Sequence, residues 1–113
     1  MPLAEGLAMH ARVTAGRVQP GQLAAVSRRV REDLLPLAKA QPGFRGFVEL
    51  VDEGSGAFQL LTLWETEAAM EAGEAAGYYR SQLGKLEQVL RGQPTRETFA
   101  VSLWEIAEGD PAA

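Results

Sequence analysis

Hydrophobic residues switch between two spacings along this chain, and each switch marks an element. Met9, Ala11 and Val13 alternate with His10, Arg12 and Thr14, the period of a strand. Gly16, Pro20 and Gly21 then break the pattern. From Gln22 the apolar residues fall at Leu23, Val26, Val30, Leu34 and Leu37, which is helical spacing. Pro36 lies inside that stripe and predicts a kink or a weakened last turn, because it lacks an amide donor. After Pro42-Gly43, residues 44–51 and 57–64 read as strands joined by a hairpin loop at 52–56. Thr66 is placed to cap the next helix, with Glu65 and Glu67 at its positive end. Gly73 and Gly77 interrupt that helix, which restarts around Tyr78 with a stripe of Tyr79, Leu83, Leu86 and Leu90. The segment RGQP ends it, and Glu97 to Ile106 reads as a fourth strand.

The order β-α-β-β-α-β predicts an α+β, ferredoxin-like split-βαβ fold: a four-stranded antiparallel sheet with its helices on one face. Each strand divides into a mainly aliphatic set and a mixed set. Aliphatic sets under the helices would leave His10, Arg12, Thr14, Arg45, Phe47, Glu49, Phe58, Leu60, Thr62, Trp64, Ser102 and Trp104 on the far face. The two tryptophans sit in near-identical words, TLWE at 62–65 and SLWE at 102–105. On this assignment both indoles point away from the helices. So much exposed aromatic surface predicts a cover, most simply the sheet of a second copy, closing a barrel between two subunits.

Composition narrows the chemistry. With 113 residues the chain is one domain, expected over 8–107 with tails at 1–7 and 108–113. A net charge of −4 argues against nucleic acid or an anionic membrane as partner. The basic run Arg28-Arg29-Val30-Arg31 reads as a solvated helix face. There is no cysteine and one histidine, so no metal set of usual composition and no thiol nucleophile is expected. Neither a membrane-length apolar run nor a signal-peptide pattern occurs, and the expected setting is the cytoplasm. No dinucleotide or phosphate loop is present, and no serine has a nucleophile-elbow context.

Three stretches, ARVTAGRVQPGQ, LLPLAKAQPGFRGFVELVD and LLTLWETEAAMEA, resemble the antibiotic biosynthesis monooxygenase family of dimeric α+β barrels. The resemblance spans roughly Met9 to Ile106; its most specific parts are QPGFRG and LWETEAAM. It implies a homodimer with one cavity per subunit, and a cofactor-independent oxygenase acting on a small aromatic or quinone-like compound. Relatives that oxidise phenols carry a tryptophan at the position of Trp64 and an asparagine four residues earlier, where this chain has Leu60. Haem-degrading relatives carry a first-strand asparagine and a tryptophan–histidine pair in the second helical region. This chain lacks both, with Gly73 near that tryptophan position.

Such an oxygenase needs a base to deprotonate a phenol and a cation to hold the anion. His10 is the one side chain with an unperturbed pKa near neutrality, and Arg12 or Arg45 could supply the cation. His10 and Arg12 are therefore the candidate catalytic pair. Trp64, Thr62, Leu60, Arg45, Trp104 and Tyr79 are candidates for lining the ligand, with Tyr78 a second tyrosine beside the hinge. Strand alternation puts His10, Arg12 and Trp64 on one face, and a His10 in solvent or beneath the helices would leave no candidate base. The competing readings are a partly exposed histidine, tryptophans that anchor an interface, and an Arg45–Glu49 pair that is purely structural. At the level of the whole protein, the alternative to an oxygenase is a non-catalytic binding or interaction module on the same barrel.

Overall fold

The computed structural model describes residues 8–107, so the tails expected at 1–7 and 108–113 lie outside the described residues. The chain runs β1 (His10–Arg17), α1 (Leu23–Arg29), a π-helical turn (Val30–Leu34), α2 (Leu35–Lys39), β2 (Phe44–Asp52), β3 (Ala57–Trp64), α3 (Glu67–Ala75), α4 (Tyr78–Leu86) and β4 (Thr95–Ala100). The strands form one antiparallel sheet in the order β2-β3-β1-β4. This is the ferredoxin-like α+β arrangement that the periodicity predicts.

The disturbance at Pro36 takes the form of a wide turn. The helix is not broken there; it widens into the π turn that ends just before the proline, with the Leu35 amide donating to the Val30 carbonyl. A wide turn is one way for a helix to absorb a residue that cannot donate. Val26, Val30, Leu34 and Ala38 stay buried throughout, and Arg28, Arg29 and Arg31 are exposed.

The hairpin after β2 is held by Asp52. Its Oδ1 accepts from the Gly54 amide at 3.1 Å, and its Oδ2 from the Ser55 hydroxyl at 3.0 Å. Gly56 closes the turn at φ +77°, where a Cβ would meet the Val18 carbonyl at 2.7 Å. On α3 the predicted cap is present: Thr66 Oγ1 accepts from the Ala69 amide at 3.0 Å.

The fourth strand is shorter than expected. Its pairing with β1 ends at His10↔Ala100, and the Val101 amide makes a last bond to the Met9 carbonyl. β1 begins at His10, so β4 finds no paired strand of β1 beyond that point. Residues 101–107 leave the sheet ladder.

The assignment of faces is reversed. The mixed set lies beneath the helices: Arg12, Thr14, Phe58, Leu60, Thr62 and Trp64 are all buried there. The aliphatic set lies on the open face, where Val48 is 40% exposed, Leu50 49% and Phe99 51%. Two facts of chemistry cause this. Four large apolar side chains of the mixed set, Trp64, Phe58, Phe47 and Leu60, fill the wide gap between sheet and helices, and Phe44 of the other set joins them across the β-bulge. The helices also bring Glu74 to Arg12 and Tyr79 to Thr14, so these buried polar side chains gain partners.

Candidate active site beneath the helices

The two tryptophans have opposite fates. Within β3, Thr62 and Trp64 project from the same face, and the Trp64 indole N–H donates to Thr62 Oγ1 at 2.9 Å. The Thr-x-Trp spacing is thus a hydrogen-bonded unit that lets an indole be fully buried without an orphan donor. Phe44 and Tyr78 meet the ring edge-on at centroid distances of 5.8 and 5.9 Å. Gly73 makes room for Tyr78 there: a Cβ on it would sit 3.1 Å from the tyrosine ring. Ser102-x-Trp104 cannot repeat the unit, because its residues have left the strand. Trp104 is 44% exposed and lies over Gly46 on the open face, so of the two indoles only this one points away from the helices.

Arg12 is the centre of the buried layer. Its side chain is 1% exposed, with Nε donating to Glu74 Oε1 at 3.1 Å and Nη2 to the Met70 carbonyl at 3.0 Å. The guanidinium carbon stands 4.3 Å from the Tyr79 ring centroid and 5.5 Å from that of Trp64. Nη1 is buried without a hydrogen-bond partner. Desolvation lowers the arginine's pKa, and the charge of Glu74 opposes that shift. Glu74 also accepts from exposed Arg96, at 2.6 and 2.7 Å. One carboxylate therefore serves a buried and an exposed cation at once. Tyr79 is fixed by its hydroxyl, 2.9 Å from Thr14 Oγ1.

The Tyr78 hydroxyl is buried as well, and Gln82 approaches it without a well-formed hydrogen bond. Burial pushes its pKa up to about 12, partly opposed by the charge of Arg12 and by Gln82. In the unfolded chain tyrosine ionises near 10. Between pH 10 and 12 the unfolded state therefore holds fewer protons, and stability should fall as pH rises through that window, by roughly 2 kcal/mol in all. Tyr78→Phe should abolish that alkaline slope while leaving neutral-pH stability unchanged or raised, as urea unfolding at pH 7 and pH 11 will show.

Of the candidate site residues, Arg12, Thr62, Leu60, Trp64 and Tyr79 share the interior between sheet and helices. His10 is on the same side at the rim, opposite Trp64 in the register. Its ring is 15% exposed, with Nε2 3.4 Å from Glu67 Oε2 and Nδ1 3.3 Å from the Ala8 carbonyl. It is beneath the helices, the placement expected to leave no candidate base; that expectation put the site on the open face, whereas Arg12 and Trp64 are themselves beneath the helices, and the three keep their common face. Arg45 and Trp104 are not part of this group. Arg45 is exposed at a β-bulge of β2, and Glu49 bonds to Ser27 rather than to Arg45.

Glu74, Gln82 and Met70 were absent from the candidates. Met70 and Glu74, and likewise Tyr78 and Gln82, are four residues apart on their helices. That spacing marks one inward stripe, although a stripe carrying Glu and Gln reads as solvated when charge alone is weighed. Among the described residues no three His, Cys, Asp or Glu side chains gather as metal ligands would, and no helix is long and apolar enough to cross a membrane.

Comparison with known proteins agrees with this architecture. No sequence among the curated proteins matches the chain. Among solved structures, a Nitrosomonas europaea protein of unknown function is similar at a TM-score of 0.71 and 21% identity, covering 91% of this chain and 98% of its own. A candidate antibiotic biosynthesis monooxygenase from Caulobacter crescentus is similar at 0.68 and 22%, covering 84% and 91%. SnoaB, a cofactor-independent oxygenase from Streptomyces nogalater solved in a mutant form, is similar at 0.64 and 16%, covering 82% and 92%. At these identities the likeness is one of fold. The sequence model described as "Antibiotic biosynthesis monooxygenase" matches residues 9–83, the stretch that supplies His10, Arg12, Trp64, Glu74 and both tyrosines, and the chain belongs to that family.

Proposed function

We propose that the protein is a monooxygenase that oxidises a small aromatic or quinol-like compound without metal or flavin, binding it between the sheet and the helices. The observation that carries this reading is Arg12: a buried guanidinium flanked by two aromatic rings, with Nη1 left without an acceptor. A phenolate would accept from Nη1 and lie flat against the rings. Loss of the phenolic proton makes an electron-rich anion able to reduce dioxygen. One oxygen atom then enters the product and the other leaves as water. In this scheme Arg12 stabilises the anion and His10, at the rim beside Trp64, takes the proton.

Oxygen uptake with a panel of small hydroquinones tests the proposal. Wild type is expected to consume oxygen, and His10→Ala should be slower by roughly 10²-fold or more. Equal rates would remove His10 as the base, and no uptake across the panel would remove the oxygenase. The second reading, a non-catalytic binding or interaction module, has its own support. Trp64 and Arg12 are almost completely enclosed, so a ligand must displace packed side chains to reach them.

The proposal includes a homodimer joined through the open sheet face. Val48, Leu50 and Phe99 there form an apolar surface of the kind that a second copy would cover, with Trp104 beside it. Sedimentation at micromolar concentration should show a dimer, and Leu50→Asp should shift it toward monomer. A monomeric wild type would overturn this assembly.

A further inference from the structure

A crevice of about 170 Å³ opens at the protein's side, between the π-helical turn and edge strand β2, away from the Arg12 layer. Its walls are Val30, Leu35 and Phe47, and its polar groups are Ser27, Arg31 and Glu49. Ser27 donates to Glu49 Oε1 at 3.1 Å. The second carboxylate oxygen, Oε2, is shielded from water and has no hydrogen-bond partner. A half-buried carboxylate against apolar walls is costly unless something donates to it, and an orphaned oxygen of this kind calls for an explanation. The π turn is a second, separate indication. Such wide turns occur mostly as single insertions in helices and frequently at functional sites, and this one carries Val30 and Arg31 at the crevice.

The chemistry of the walls selects the ligand. One negative and one positive side chain sum to no net charge, so neither a simple cation nor a simple anion is matched. We infer that the crevice binds a small zwitterion with an apolar body, such as a free α-amino acid with an aliphatic side chain. Its ammonium would donate to the Glu49 carboxylate, which would turn to bring the shielded Oε2 to the crevice; its carboxylate would meet the Arg31 guanidinium, and its side chain would rest on Val30, Leu35 and Phe47. The volume corresponds to about six water molecules of liquid, the scale of such a molecule. Phe47 also packs against both hydrophobic clusters of the interior, so an occupant would touch the side chain that links the crevice to the core. The inference does not depend on the oxygenase reading.

The test is titration of the full chain followed by backbone amide shifts. L-leucine is expected to move the amides of 27–35 and 47–49 saturably, with a Kd on the order of 1 mM. Isoamylamine and isovalerate, each keeping one charge, should bind at least about tenfold more weakly. Glu49→Gln keeps the shape and removes the charge, and should weaken leucine binding about tenfold. Arg31→Gln should also weaken it, and because Arg31 is exposed this variant is expected to fold like wild type. The inference is overturned by the absence of a saturable shift up to about 20 mM leucine. It is overturned equally if the amine alone binds as tightly as leucine, or if folded Glu49→Gln and Arg31→Gln bind like wild type.

Discussion

Trp64→Ala is expected to lower the unfolding free energy by roughly 3–5 kcal/mol, the cost of emptying a fully enclosed aromatic site. The indole has no exposed surface and closes a cluster with Ala38, Met70 and Tyr78. Its removal leaves Thr62 without its donor and Arg12 without one of its two aromatic walls. These partners sit on several different elements, so the space cannot collapse by one side chain moving. Urea unfolding measures the effect, and a loss below about 1 kcal/mol would contradict the burial. The milder Trp64→Phe should lose less, because a benzene ring fills part of the volume, but it does not restore the bond to Thr62.

Glu74→Ala should cost about 3 kcal/mol, at the lower end for breaking a buried pair because the carboxylate is itself partly exposed. The penalty falls on Arg12, which would keep its charge in a desolvated site with only the Met70 carbonyl as acceptor. Arg96, 45% exposed, would return to water at little cost. The double variant Glu74→Ala with Arg12→Met separates the two effects. It should be more stable than Glu74→Ala alone, since no orphaned cation remains. If the double variant is instead less stable than the single by the full Arg12 cost, the two side chains contribute independently and the buried pair is not a unit.

The elements and their order could be read from periodicity because each is amphipathic enough to show its period. Thr66, the hairpin at Asp52 and the break at Gly77 are local signals that act locally, and each stands where it was expected. The choice of face could not be read the same way. Both faces of this sheet carry apolar residues, so alternation separates two sets without saying which is inside. Arg12 argued for the outside, and its burial depends on Glu74, sixty-two residues away on a helix whose own polar stripe looked solvated. A long-range ion pair leaves no trace in spacing. Trp104 points away from the helices as expected, but it parts from Trp64 for a related reason: alternation holds only while a strand continues, and β4 ends at Ala100 for lack of a paired strand of β1 opposite. The π turn shows a third case, where Pro36 signalled a disturbance but not its form.

The opposite placement of the two indoles gives the protein a built-in pair of optical probes. Trp64, sealed among rings and close to a guanidinium, should emit at short wavelength and resist acrylamide quenching. Trp104, nearly half exposed on the open face, should emit further to the red and be quenched readily. Single Trp→Phe variants assign each component. Dilution through any subunit equilibrium should then change only the Trp104 signal, whereas a molecule entering beside Arg12 should change that of Trp64. Assembly and occupancy can in this way be followed in one cuvette, each by its own colour, without attaching a label.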